Sequence, residues 1–251
     1  MTPLESEYNR LLFLSLKILV PVMIIPVIVG IFNWKTLNKS LKIFFWYCFL
    51  TFLLNFFEEI FAWSTINFKA MLLPLLKKWE IRNTNFLSIL YFTKDFIFLG
   101  LFFKEILKYR VSTKWINPLI ILLLTTTWVN HLFIEGFRAY GVFNPTIDSI
   151  FCFAIPLYFL WFIFNEISKV PIVKNPYFWI GLGLISTALI GFYLFLAGDK
   201  IRATDKVLFF KLAIIKNVIM MIEQVLEAIG FYYARYIKYL PQNTTKPLPP
   251  Q

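Results

Sequence analysis

The sequence predicts an all-α integral membrane protein, a seven-transmembrane-helix bundle with almost no soluble part. Three observations predict it. The 251 residues are 59% hydrophobic and 20% aromatic, and only 16% are charged, against about 25% in a soluble domain. Seven apolar segments meet or approach the roughly 20 residues needed to cross about 30 Å of hydrocarbon. The ionisable residues inside those segments recur at helical spacing, as charges facing a bundle interior must.

The segments are Leu11 to Phe32, Leu41 to Trp63, Phe86 to Leu107, Pro118 to Ile134, Ile147 to Ile167, Pro176 to Ala197 and Val207 to Tyr232. The first lacks a basic n-region and a small-residue cleavage site, so it reads as a retained helix and not a signal peptide. Pro21 and Pro26 are expected to kink it, which a membrane helix tolerates when neighbours satisfy the freed carbonyls. The second and third are joined by the longest connection, Ser64 to Asn85, in which Met71 to Leu76 followed by Lys77 and Lys78 suits the membrane surface. The fourth is the shortest. Pro118, Pro145 and Pro176 mark entries into the fourth, fifth and sixth. Trp34, Trp63, Trp79 and Trp115 stand at span ends, the headgroup level that an amphipathic ring prefers. Residues 241–251 read as a disordered cytoplasmic tail, Pro-rich and polar.

Counting Lys and Arg on alternate sides gives twelve on the side away from the N-terminus and nine on the side of the N-terminus. The positive-inside rule then places the N-terminus outside and the C-terminus in the cytoplasm of a cell inner membrane. The formal charge of +11 is scattered between apolar runs, so it reads as topology and lipid-headgroup contact; the partner it implies is the lipid bilayer and not nucleic acid. Cys48 and Cys152 lie inside apolar runs, and His131 is the single histidine. No metal site, cofactor or catalytic residue is expected from such a set.

Lys17, Glu58, Glu59, Lys94, Asp95, Lys211, Lys216, Glu223 and Glu227 fall within the spans. Each charge at mid-membrane costs about 2.5 to 3.5 kcal/mol, against about 0.3 to 0.6 gained per large apolar residue. The last helix is therefore stable only if its charges face protein. Its Lys216, Met220, Glu223 and Glu227 step by four, three and four residues, which holds them on one stripe. Thr51, Asn55, Glu58 and Ala62 repeat those steps in the second helix. Ser88 and Asp95 share a face of the third, with Lys94 about 100° away. Gly183, Thr187 and Gly191 form a small-residue face on the sixth. At about 1.5 Å per residue, Glu59 lies about 6 Å from the outer end of its span, Lys94 and Asp95 about 12 to 14 Å, and Lys216 about 14 Å. With His131 and Asp148 nearer the surface, these groups are expected to gather in the outer half. The ligand-binding or proton-path set is Glu58, Glu59, Lys94, Asp95, His131, Lys216, Glu223 and Glu227. Interhelical ion pairs that only fix packing are the alternative.

The run Asn175-Pro176-Tyr177-Phe178-Trp179-Ile180 precedes a small-residue helix, and Asn85-Phe86-Leu87-Ser88-Ile89-Leu90-Tyr91 leads to the acid Asp95. Both resemble segments of an uncharacterised family of seven-helix bacterial inner-membrane proteins. The resemblance covers most of the chain through short motifs. It implies a bacterial inner membrane and acids in helices two and three, supplies no activity, and hints at company with sensor kinases.

Other seven-helix architectures fit less of the chain. A retinal protein needs a lysine in its last helix, and Lys216 is there, but Leu212 stands four residues before it where an acid is required. An intramembrane endopeptidase with paired glutamates needs an arginine where Trp63 follows Glu58-Glu59, and more than one histidine. A three-plus-one-plus-three arrangement of two parallel triplets has some support. Leu90-Tyr91-Phe92-Thr93-Lys94-Asp95 parallels Leu212-Ala213-Ile214-Ile215-Lys216-Asn217, and Pro26 parallels Pro156. No phosphate loop or nucleophile elbow occurs, so an enzyme is not expected. The expected function is a membrane sensor or receptor subunit that binds a small molecule or ion in an outer-half polar cavity and signals through a partner such as a kinase. The alternatives are a small-solute or proton-coupled transporter and a structural subunit of a membrane complex.

Overall fold

A computed structural model describes residues 2–68, 72, 74, 76, 78, 84–108, 112–136, 141–165 and 171–235. The expected surface segment at Met71 to Lys78 lies largely outside these residues, and the expected tail at 241–251 lies wholly outside them. The described residues are helical throughout, with turns and short loops and no strand among them. The long elements are α1 (Pro3–Phe32), α2 (Lys39–Asn67), α3 (Thr84–Leu107), α4 (Ile116–Ile134), α5 (Phe143–Asn165), α6 (Pro176–Thr204) and α7 (Lys206–Tyr232).

The helix starts follow local chemistry. Thr2 and Glu5 form a capping box that begins α1 at Pro3, ahead of the apolar run. Asn38, Asn175 and Asp205 cap α2, α6 and α7 by accepting from Leu41, Tyr177 and Leu208 N–H groups. The anticipated bend in α1 falls at Met23, between the stretches Pro3–Val22 and Ile24–Phe32. Pro21 ends the first stretch, and the Met23 N–H still reaches the Leu19 carbonyl at 3.0 Å.

Contacts between helix ends show that successive helices alternate in direction. Lys39 at the start of α2 pairs with Glu105 near the end of α3 at 3.3 Å. Lys104 donates to Asn117 at the start of α4. Tyr8 and Lys211 meet near the starts of α1 and α7. Around the bundle α1 neighbours α2, α2 neighbours α3, α3 neighbours α5, α5 neighbours α6, α6 neighbours α7, and α7 returns to α1. Helix α4 lies against α3 and meets α5 near its own end.

Six helices, α1 to α6, are long and apolar enough to cross a membrane. Helix α7 has the length, but Lys211, Lys216, Glu223 and Glu227 interrupt its apolar character. The outside of the bundle presents large apolar side chains such as Phe32, Ile66, Phe133, Ile134, Trp161 and Phe164. A water-soluble monomer does not expose apolar surface on this scale, and the chain is membrane-embedded. Inside, Phe44, Phe96, Phe102, Phe103, Phe159 and Phe231 are fully buried. They form an aromatic core concentrated towards the end where α2, α4 and α6 begin.

Candidate functional site

A cavity of about 340 Å³ opens between the helices, at the lower end of the range for small-molecule sites. It lies towards the end where α3, α5 and α7 begin, with Gly136 and Gly141 of the α4–α5 connection among its lining. Gly136 has φ of +76°, a backbone conformation that glycine adopts without steric cost. The rim is tied by Glu135, which accepts from the Val142 and Phe143 N–H groups at 3.1 Å and from Asn130 at 2.7 Å.

Two π-helical turns shape the walls. One, Asp95–Leu99, interrupts α3; the other, Asn130–Ile134, ends α4. In a regular α-helix adjacent side chains diverge by about 100°, yet Lys94 and Asp95 both line the cavity. They pair at 2.9 Å and are buried. Lys94 also donates to Thr51 on α2 at 2.6 Å and sits 4.2 Å from the ring centre of Tyr47. The wider π turn then sends Phe96 and Leu99 into the core. In α4 the π turn buries Asn130 and His131 while Leu132, Phe133 and Ile134 face outwards. Asn130 donates to Asn144 at 3.1 Å, and Asn144 to the Thr127 carbonyl at 3.2 Å. Single-turn π segments recur where a side chain must be re-aimed for function.

The α5–α7 side is less saturated. Among the described residues Asp148 receives only a long contact from the Cys152 thiol, 3.7 Å away on its own helix. Lys216 makes no ion pair among the described residues, and its ammonium sits 4.7 Å from the ring centre of Phe195. Glu223 leans on Gly183, whose missing Cβ would lie 3.3 Å from the Glu223 Cγ. Gln224 is buried at 4% exposure and lines the cavity, and its Oε1 has no donor. Asn217, beside Lys216, turns away to donate to Ser15 of α1 at 2.8 Å.

Below the cavity Glu227 is 1% exposed and accepts from the Cys48 thiol at 3.5 Å, while its Oε1 has no donor. One helical turn further, Phe44 stacks near Phe102 and Phe231 at 4.8 and 5.9 Å between ring centres. Tyr177 joins this layer, taking a 2.7 Å hydrogen bond from Asn38 and sharing another with Ser40 at 2.8 Å. Polar cavity, buried carboxylate and aromatic seal follow one another along the bundle.

Of the residues singled out in the sequence, Lys94, Asp95, His131, Lys216 and Glu223 line this one cavity. Glu58 stands behind the wall, accepting from Tyr91 at 3.0 Å and from Thr84. Glu227 lies under the floor. Glu59 is exposed on the outside of α2 and belongs to no part of the cavity, as are Lys17 and Lys211 on their helices; long side chains of this kind reach the headgroup layer. Asp148, expected in the outer half though not placed in the ligand-binding set, lines the cavity, and Gln224, Tyr47, Asn144 and Cys152 join it without having been singled out for it. Asp148 had a readable signal, since an acid one residue into an apolar span demands a partner. For Gln224, adjacency to Glu223 was the only sign. Among the described residues no group of three or more His, Cys, Asp or Glu is placed to hold a metal ion.

Comparison of the chain with protein-family models, with curated proteins and with solved structures gives no match in any of the three. No family assignment follows, and the functional reading rests on the cavity.

Proposed function

We propose that this chain is a sensor or receptor subunit of a bacterial inner membrane, binding a small polar ligand in the cavity and passing its occupancy to a partner such as a kinase. One observation carries the reading. Half-buried Lys216 and Asp148 and buried Glu223 line a space large enough for a ligand and make no ion pair among the described residues. Such groups are costly in a membrane unless they meet a partner or water. A ligand that fits one helix arrangement better shifts the bundle towards it. In this reading α7 is the seventh span, its charged stripe turned to the cavity and its apolar side to lipid. The N-terminus and the cavity mouth face the periplasm.

The two native cysteines supply the test. Cys152 lines the cavity, whereas Cys48 is 1% exposed beneath it. A membrane-impermeant methanethiosulfonate added to right-side-out vesicles is expected to modify Cys152 and spare Cys48. An unreactive Cys152, or reagent access only from the opposite side, would refute the outward-facing cavity.

A transporter is the second reading, favoured by the ring of helices. Exchanging α1, α2 and α3 for α5, α6 and α7 maps the α1–α2, α2–α3 and α1–α7 contacts onto α5–α6, α6–α7 and α5–α3. Lys94 and Lys216 become equivalent, and α4 is left over, as a three-plus-one-plus-three transporter requires. Ligand flux into sealed vesicles decides for transport, and co-purification with a kinase in the absence of flux decides for the sensor.

A further inference from the structure

We propose that the cavity is built for a small organic ammonium ion, an amine with a short carbon body. The inference deepens the ligand-binding reading and rests on it.

The first argument is charge. The cavity is lined by two cations, Lys94 and Lys216, and by four carboxylates: Asp95, Asp148 and Glu223 inside it, and at the rim Glu135, whose oxygens are held by Asn130 and two backbone N–H groups. Lys94 and Asp95 cancel in their 2.9 Å pair. Lys216 then faces Asp148 and Glu223, and one carboxylate is left over. A net charge in a low-dielectric interior is expensive and is relieved either by a proton on the carboxyl group or by a bound cation, and a ligand with a single positive charge supplies the second.

The second argument is hydrogen bonding. On the α2–α3 wall Lys94 donates to Thr51 and pairs with Asp95 at 2.9 Å, and Tyr91 donates to Glu58, while Asp95 Oδ1 has no further hydrogen-bond donor among the described residues. The opposite wall sets the oxygens of Asp148, Glu223 and Gln224 against the Lys216 ammonium and the buried Thr187 hydroxyl, which has no hydrogen-bond partner among the described residues, and the oxygens' lone pairs outnumber those donors. Among the described residues Gln224 Oε1 is buried without a donor and Asp148 has only the weak Cys152 thiol. Glu223 adds a carboxylate with no ion pair among the described residues. Acceptors in excess call for a ligand rich in N–H donors, which a primary ammonium is and a carboxylate or neutral ether is not.

The third argument is size and wall chemistry. About 340 Å³ would hold on the order of ten waters at about 30 Å³ each, so an inorganic monovalent ion leaves most of the space unfilled. Phe92, Leu184, Phe195 and Met220 supply apolar surface for carbon. An amine with about four to eight carbons matches both requirements.

An isosteric four-carbon series tests this on the purified full-length protein in lipid nanodiscs. Butylammonium, butyrate, 4-aminobutyrate, butanol and sodium chloride are compared by thermal unfolding and by protection of Cys152 from methanethiosulfonate. Butylammonium is expected to raise the unfolding temperature and slow Cys152 modification, with the other four weaker or silent. Glu223→Gln and Asp148→Asn should each weaken butylammonium at least about tenfold, and Glu59→Gln should leave it unchanged. Using two cavity variants keeps the test decisive if one of them fails to fold. Butyrate or 4-aminobutyrate equal to or better than butylammonium overturns the amine but keeps a ligand-binding cavity. Sodium chloride alone giving protection replaces the amine with an inorganic cation. Silence of all five, with Cys152 still reactive, overturns the amine and leaves the accessible cavity standing; an unreactive Cys152 removes both readings.

Discussion

Lys94 and Asp95 are neighbours in sequence and pair where the π turn Asp95–Leu99 begins. Both are buried, so the pair has a large desolvation cost that the 2.9 Å contact and the Thr51 hydrogen bond offset. Removing one partner strands the other. Lys94→Met is therefore expected to destabilise the protein by about 3 to 5 kcal/mol. Adding Asp95→Leu should recover much of that loss, because the double variant leaves no uncompensated charge. A double-variant cycle by denaturant unfolding in micelles measures the coupling. Simple additivity of the two single losses would mean that the pair is not a unit. The same reasoning separates Glu58 from Glu59: the first is hydrogen-bonded behind Tyr91, whereas the second faces outwards.

At the scale of the element, α6 and α7 are held close by small residues. Adding a Cβ at Gly230 would place it 2.8 Å from Ile180 and 3.0 Å from the Pro176 carbonyl oxygen. The backbone oxygen cannot move aside, so Gly230→Ala should cost about 1 to 3 kcal/mol through overpacking. Gly191 has only ordinary contacts, 3.5 Å to Ser149 and 3.6 Å to Phe195. Gly191→Ala should be neutral, or stabilising by up to about 1 kcal/mol as a helix interior gains alanine. Thermal unfolding of the two variants checks the contrast, and equal effects would deny that the α6–α7 crossing depends on Gly230. The small-residue face at Gly183, Thr187 and Gly191 was readable from its four-residue spacing. Gly230, which makes the tighter contact, was not, because its partner Pro176 is far away in sequence.

For the whole molecule the decisive question is whether α7 crosses the membrane. Its charged residues divide by position. Lys216 and Glu223 line the cavity, Glu227 lies beneath it, and Lys211 sits near the helix start over Tyr8. Ile215, Val218, Ile222 and Val225 are exposed and are the residues that a membrane-crossing α7 would turn to lipid. A crossing α7 puts the two chain ends on opposite sides. Reporter fusions are expected to find residue 2 in the periplasm and Gln251 in the cytoplasm. Both ends on one side would remove α7 from the membrane and with it the third wall of the cavity.

The sequence by itself determined that this chain is embedded in a bilayer, that its apolar segments form long helices, and which residues of those helices recur on one face. Apolar run length and helical periodicity are local quantities, and the membrane imposes one local answer on them. Stripes such as Lys216, Met220 and Glu223 were legible for the same reason. Only the tertiary structure decided which stripes share a space. It placed Asp148 and Gln224 in the cavity, set Glu59 outside it, and sank Glu227 between the cavity and the Phe44–Phe231 layer. It also introduced the two π turns, which shift a helix face by a residue and have no periodic signature. Those outcomes depend on helix rotation, crossing and depth, which arise from packing between segments distant in sequence.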